Sequence, residues 1–315
     1  MLAGVMILWY SEVVASVLFV AADIRRTPES PVLKWGFVIV TLFSGPVAAL
    51  LYVLSCREPL PGTHAAYVRA RWRQVVGSTM HCVAGDGVGI LAAAAVTSQL
   101  GLPAWADLMA EYGLGFTFGW TVFQALFMRA MAGGNYGRSL RATFLPELVS
   151  MNGVMAGMAA VTVPWHQALG GTAGPADPAF WLVMSMGLTL GSVVTYPINW
   201  WLVSSGLKHG MLTVQPAGVP VPLAAGLALA GSALSAAPQH RSTALQRPHQ
   251  MPAVSEPVSA MPGPSMAHEG HEDYARGAGR PVVGVLEKAQ MISVSMIVLG
   301  LGVAVAGMMG SLWSH

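Results

Sequence analysis

Between Gln74 and Gly206 the chain runs through long apolar segments that contain no lysine and only three arginines, Arg129, Arg138 and Arg141. These three arginines lie together in one interior loop. Hydrophobic residues make up 54% of the 315 residues and charged residues only 10%, which would leave a water-soluble domain with too little polar surface. The pattern therefore predicts a polytopic membrane protein whose solvent is the lipid bilayer.

The predicted fold is all-α, a polytopic bundle of seven transmembrane helices with a disordered linker before the last helix. About 20 apolar helical residues cross a hydrocarbon core of about 30 Å, and segments of this kind lie near 2–22, 35–55, 75–98, 105–128, 142–163, 180–205 and 290–312. An alanine-rich, proline-interrupted stretch at 219–236 is an eighth candidate that the sequence leaves undecided. The expected domains are a two-helix membrane segment at 1–60, a four-helix core at 61–213, the linker at 214–281 and a C-terminal helix at 282–315.

The distribution of arginine predicts the orientation of the bundle. The 56–73 loop carries four arginines and the 129–141 loop three, whereas the 99–104 and 164–179 connections carry none. The arginine loops are therefore expected at the cytoplasmic face, and Lys208 at the same edge. The net charge of +2 predicts no nucleic-acid partner, because the basic residues collect at membrane edges.

Small residues recur every four positions on two of the predicted core helices. Gly85 and Gly89 form such a pair on the third helix, and Gly187 and Gly191 on the sixth. Stripes of small residues let helix backbones approach closely inside a bilayer. We therefore expect these helices to pack in one compact bundle.

Polar side chains are expected at a common depth within this bundle. The rise of about 1.5 Å per residue places Glu147 and the polar layer Gln124, Tyr196 and Asn199 at about the level of His81. Ionisable residues inside a membrane suggest a functional site, but polar pairs between helices also serve as packing contacts. The sequence leaves both interpretations open.

Methionine and cysteine close to these ionisable residues predict a metal site. Thioether, thiolate and imidazole ligands suit Cu(I), although a methionine stripe at helical spacing is also common in ordinary cores. The predicted ligands are His81, Cys82, Met80, Met151, Met155, Asp86 and Glu147.

The linker at 237–280 carries further soft and imidazole ligands. It is rich in proline, serine and alanine and is expected to be disordered. A disordered arm has no core to fill with methionine, so metal capture is one hypothesis and drift in an unconstrained linker is the other. The capture residues would be His249, Met251, Met266, His268 and His271.

Four strings of the core carry a family resemblance. STMHCVAGDGVGI, GFTFGWTVFQALFMRAMAGG, FLPELVSMNGVMAGM and FWLVMSMGLTLGSVVTYPINWWLVSSGLKHGM resemble the bacterial membrane family called domain of unknown function 4396, over about residues 74–213. The resemblance implies an integral membrane fold without an assigned reaction, and an association with copper-resistance systems. Family members often show a second cysteine four residues after the HC cysteine, where this chain has Asp86.

The resulting hypothesis is a multi-pass protein of a bacterial inner membrane that binds a copper ion. A second step of the hypothesis is that the protein also transports this ion. Copper-handling proteins would be its partners. One alternative is a membrane scaffold or assembly factor with a structural polar layer. The other is a membrane-embedded enzyme that uses His81 with Glu147 or Asp86. HEXXH, GXSXG and GXXXXGK[ST] are absent, so no enzyme activity is expected.

Overall fold

The structure, a computed structural model, describes residues 2–129, 134–168, 174–211 and 283–313. Their regular secondary structure is helical, as predicted. The helices are α1 (Leu2–Asp23), α2 (Pro31–Ser44), α3 (Pro46–Ser55), α4 (His64–Tyr67), α5 (Arg71–Leu100), α6 (Ala104–Phe118), α7 (Leu126–Met128), α8 (Tyr136–Ala168), α9 (Pro178–Ser204) and α10 (Val285–Trp313). A π-helical segment, Gly119–Ala125, joins α6 to α7. The undecided span at 219–236 and the metal-capture arm at 237–280 lie outside the described residues.

Five helices in the described part of the chain are long and apolar enough to cross a membrane. They are α1 with the turn that follows it, α5, α8, α9 and α10. The prediction of seven such helices was therefore wrong. The two differences fall on the second and fourth predicted spans.

The second predicted span, 35–55, is two short helices that meet at Gly45. Gly45 has φ 52° and ψ −129°, and Pro46 follows it as the first residue of α3. A proline ring disfavours helical dihedrals at the residue before it, and glycine adopts a positive φ without steric cost. α2 and α3 are consequently 14 and 10 residues long, and each is too short to span alone.

The fourth predicted span, 105–128, changes its winding part-way along. Its α-helical part, α6, is 15 residues long, and the seven residues of the π-helical segment follow without an interruption in helical dihedrals. π-helical turns are rare and are often found at functional sites. In this chain the π-helical segment lies against α5 and α8.

The contact between α5 and α6 depends on glycine. A Cβ atom on Gly89 would lie 2.5 Å from the carbonyl oxygen of Leu114, and one on Gly85 would lie 2.9 Å from the Cα of Gly119. Both neighbouring atoms belong to the backbone and cannot rotate away. The two helices can therefore approach this closely only without side chains at these positions.

The contact between α8 and α9 is built in the same way. A Cβ atom on Gly157 would lie 2.7 Å from the backbone of Gly191, and one on Gly191 would lie 2.7 Å from the carbonyl oxygen of Val154. A Cβ atom on Gly187 would lie 3.2 Å from the Cγ atom of Met158. These close approaches place α8 and α9 around the buried side chains of α5.

The chain folds back into the bundle after α9. Gly206 has φ 74°, and the amides of Leu207 and Lys208 both donate to the carbonyl of Leu202, at 3.0 and 3.1 Å. Met211 is buried and its side chain lies against Gly77 of α5. We call residues 206–211 the return segment. Because of this turn, Lys208 is buried in the protein and is not exposed at an edge of the bundle, where the sequence placed it.

Candidate functional site in the helix bundle

The ammonium group of Lys208 occupies a buried polar cage. It donates to Ser150 Oγ at 2.6 Å, to Asn199 Oδ1 at 3.1 Å and to Cys82 Sγ, and it lies 3.6 Å from Glu147 Oε2. The side chains of Lys208 and Glu147 are only 3% and 0% exposed. A charge that is removed from water in this way is tolerated only when it is paired and hydrogen-bonded, and the cage meets both conditions.

A second set of hydrogen bonds holds the members of the cage in place. Gln124 of the π-helical segment donates to Cys82 Sγ at 2.8 Å, and Cys82 donates to Glu147 at 3.4 Å. Asn199 accepts from Ser150 at 2.7 Å and donates to Thr79 at 3.1 Å. α5, the π-helical segment, α8, α9 and the return segment thus each supply part of the site.

Helical spacing explains why these side chains converge. On α5, Thr79 and Cys82 are three residues apart and Asp86 follows after four, and on α8 Glu147 and Ser150 are three apart. Residues at these spacings share one helix face. The close α8–α9 contact then brings Asn199 to the same point.

Asp86 and Glu147 form a carboxyl pair beside the cage. A Cβ atom on Gly119 would lie 2.6 Å from Oε1 of Glu147 and would collide with Oδ1 of Asp86, so the two oxygens meet over the bare backbone of this glycine. Neither oxygen of Asp86, nor Oε1 of Glu147, has a hydrogen-bonding partner within the described residues. The two carboxyl groups are therefore neighbours in an apolar part of the bundle, next to the ammonium group of Lys208.

His81 lines a small cavity next to the cage. Its ring lies 4.8 Å from the ring of Phe127 and 5.8 Å from that of Phe123, between centroids. The imidazole is buried, and its Nε2 has no hydrogen-bonding partner among the described residues. The cavity has a volume of about 10 Å³, which is room for one water molecule or ion. The other side chains that line it include Ser78, Gln124, Met128 and His209.

The predicted metal ligands thus divide among several places. Cys82, Asp86 and Glu147 lie in or beside the cage, and His81 faces the separate cavity. Met80 is buried on the part of α5 whose backbone packs on α2. The methyl group of Met151 lies at the α5–α6 contact, 2.8 Å from a Cβ position on Gly115, and Met155 is fully buried in the apolar core.

The predicted polar layer divides in the same manner. Gln124 and Asn199 join the cage, but Tyr196 is half-buried and its ring lies 6.2 Å from that of Trp200. In the described ranges, no three side chains from His, Cys, Asp and Glu form a group that could hold a metal ion. Met128 and His209 line the same cavity as His81 and offer a thioether sulfur and a second imidazole there.

The sequence analysis placed Lys208 at the membrane edge and did not include it among the candidate site residues. One signal was present: Lys208 is the only lysine between Lys34 and Lys288, and it follows Gly206 by two residues. A glycine directly after a helix often reverses the chain direction. A lysine just beyond such a turn can reach back into the bundle.

The match to a known family covers this site. Residues 71–208 match the sequence profile of the family described as Domain of unknown function (DUF4396). This segment belongs to that family. The DUF4396 segment begins at the first residue of α5 and ends at Lys208, so it contains the cage, the carboxyl pair and His81. No curated protein and no solved structure matches the chain.

Proposed function

We propose that this chain is a multi-pass protein of a bacterial inner membrane that binds Cu(I) at the cavity beside His81 and takes part in moving it. The observation that carries the proposal is the buried Nε2 atom of His81, which faces a one-ion cavity and lacks a hydrogen-bonding partner in the described structure. A buried nitrogen without a partner is costly, and a metal ion would satisfy it. His209 and Met128 line the same cavity.

The donor chemistry at this cavity favours Cu(I) over harder ions. Imidazole nitrogen and thioether sulfur are ligands of soft, monovalent copper, whereas Mg²⁺ and Ca²⁺ require several oxygen atoms. A monovalent ion also carries the smallest desolvation cost into an apolar bundle. The hydrogen bond between His81 and the backbone of Phe123 orients the ring. Metal-binding histidines are commonly oriented by such a hydrogen bond from the ring nitrogen that does not bind the metal.

The return segment connects the cavity to the cage. His209 lines the cavity and Lys208, the preceding residue, fills the cage, while Gln124 borders both. An ion that binds His209 would therefore shift the backbone of the adjacent Lys208 and change the position of its side chain in the cage. This connection favours a protein in which the return segment moves when copper binds over a protein that only stores copper.

The test is copper content per protein after loading with Cu(I), measured by elemental mass spectrometry on detergent-purified protein. We expect wild type to hold one tight ion that is lost in His81→Ala and in Met128→Leu. The matched controls are His64→Ala, which removes another buried histidine, and Met109→Leu, at a 61% exposed methionine of α6. Both controls should keep the ion.

Two other results would redirect the proposal. Loss of copper only on deletion of 237–280 would leave a membrane-tethered copper binder without an intramembrane site. Absence of copper from every variant would end the metal hypothesis. The polar residues would then serve a scaffold or an enzyme, and partners that copurify after mild solubilisation would favour the scaffold.

A further inference from the structure

The cage around Lys208 has the composition of a cation site. Three of its atoms are oxygens, Ser150 Oγ, Asn199 Oδ1 and Glu147 Oε2, at 2.6, 3.1 and 3.6 Å from the ammonium nitrogen, and Cys82 Sγ is the fourth. Hydroxyl, amide and carboxylate oxygens are the ligands that alkali and other hard cations take in proteins. The ammonium group stands at the point where such an ion would sit.

We propose that this cage is a binding site for a small monovalent cation of the alkali class, such as Na⁺, and that Lys208 fills it as a tethered substitute. The cation enters when the return segment withdraws the lysine side chain. The inference goes beyond the copper proposal and does not depend on it, because the cage and the His81 cavity have different ligands.

The charges around the cage select a monovalent ion. The acidic groups that face Lys208 are Glu147, Asp86 and the Cys82 thiol. The group that occupies the cage in the structure is one ammonium group, which carries a single positive charge. One alkali ion in its place would leave the net charge of the site unchanged, whereas a divalent ion would add a positive charge to the apolar bundle.

The return segment is built so that it can move. It is joined to α9 through Gly206 at φ 74°. Apart from the hydrogen bond of Lys208 to Cys82, its contacts with α5 include the packing of Met211 on Gly77 and of Gly210 on Gln74. It contributes no turn of regular helix. Withdrawal of Lys208 therefore requires a change in the dihedrals of a few residues and leaves the helices of the cage in place.

The first test is the variant Lys208→Met, which empties the cage but keeps the length of the side chain. Thermal unfolding is compared in sodium chloride and in N-methyl-D-glucamine chloride at equal ionic strength. We expect sodium to raise the Tm of Lys208→Met by about 5–10 °C at about 100 times its Kd. Wild type should respond less, since its own lysine competes with the ion. Equal Tm values of Lys208→Met in the two salts would overturn the proposal.

Two controls assign the effect to the cage. Lys34→Met, at the lysine that donates to the carbonyl of Arg25 outside the cage, should gain no sodium response. The double variant Lys208→Met/Asn199→Ala should lose the response, because it lacks one of the oxygen ligands. A response that survives in the double variant would place the ion elsewhere and would also overturn the proposal.

If Lys208→Met does not fold, wild type provides a second measurement. The rate of acylation of each lysine by an amine-reactive ester is followed by mass spectrometry as sodium is raised. Acylation of Lys208 should accelerate several-fold, while Lys34 and Lys288 remain constant. An unchanged rate for Lys208 would contradict exchange. Neither sodium experiment contains copper, so their failure and the failure of the copper proposal are separate results.

Discussion

Replacement of Glu147 by glutamine tests whether the buried ion pair with Lys208 holds the site together. The two charged atoms lie 3.6 Å apart and both side chains are almost fully buried. At an effective dielectric constant of about 20, this separation corresponds to an attraction of about 5 kcal/mol. Lys208 keeps its contacts with Cys82, Ser150 and Asn199 in the variant, so the expected loss of stability is smaller, about 3 kcal/mol.

The assay is thermal unfolding in detergent, where a loss of about 3 kcal/mol lowers the Tm by about 6–12 °C. Glu12→Gln is the matched control, because Glu12 is an exposed carboxylate on α1, and we expect no change from it. The double variant Glu147→Gln/Lys208→Met should recover much of the loss, since it leaves no unpaired charge. Equal Tm values for Glu147→Gln and Glu12→Gln would refute the reasoning, because they would show that Lys208 does not depend on this carboxylate.

Three further predictions concern the rest of the bundle. Gly89→Ala should destabilise the protein by about 1–3 kcal/mol through its clash with the backbone of α6, whereas Gly113→Ala, with no atom within 4 Å of its Cβ position, should not; chemical denaturation compares them. Cys56 and Cys82 are both buried and unpaired, so a maleimide should label no thiol in the native protein and two after unfolding, as counted by intact mass. Tyr52→Phe removes the hydroxyl that contacts Thr27 at 3.0 Å and Asp23 at 2.8 Å, which should cost about 1–2 kcal/mol in the same denaturation assay; an unchanged midpoint would count against these hydrogen bonds.

The apolar helices could be predicted from composition because hydrophobic length is a local property. Gly45 and Pro46 were visible in the sequence, but an apolar run of the right length outweighed them, and the second span was wrongly predicted as one helix. Glycine spacing also predicted that Gly85, Gly89, Gly187 and Gly191 lie at close helix contacts, since close backbone approach needs small residues whichever helix is the partner.

The side-chain arrangement of the site could not be predicted in the same way. His81 and Cys82 are neighbours in sequence, but successive helical residues point about 100° apart, and the two side chains serve different places. The position of Lys208 depends on a turn after α9 that reverses the chain. Such a turn is a tertiary feature, and hydropathy places a lysine after an apolar helix at the membrane edge by default.

The most direct test of the copper site is X-ray absorption spectroscopy at the copper edge on protein loaded with Cu(I). We predict imidazole nitrogen in the first coordination shell together with one sulfur, and loss of the nitrogen contribution in His81→Ala. The same spectrum from a variant that lacks 237–280 should be unchanged. A shell of sulfur alone, or a spectrum that His81→Ala leaves unaltered, would contradict a copper site at the His81 cavity.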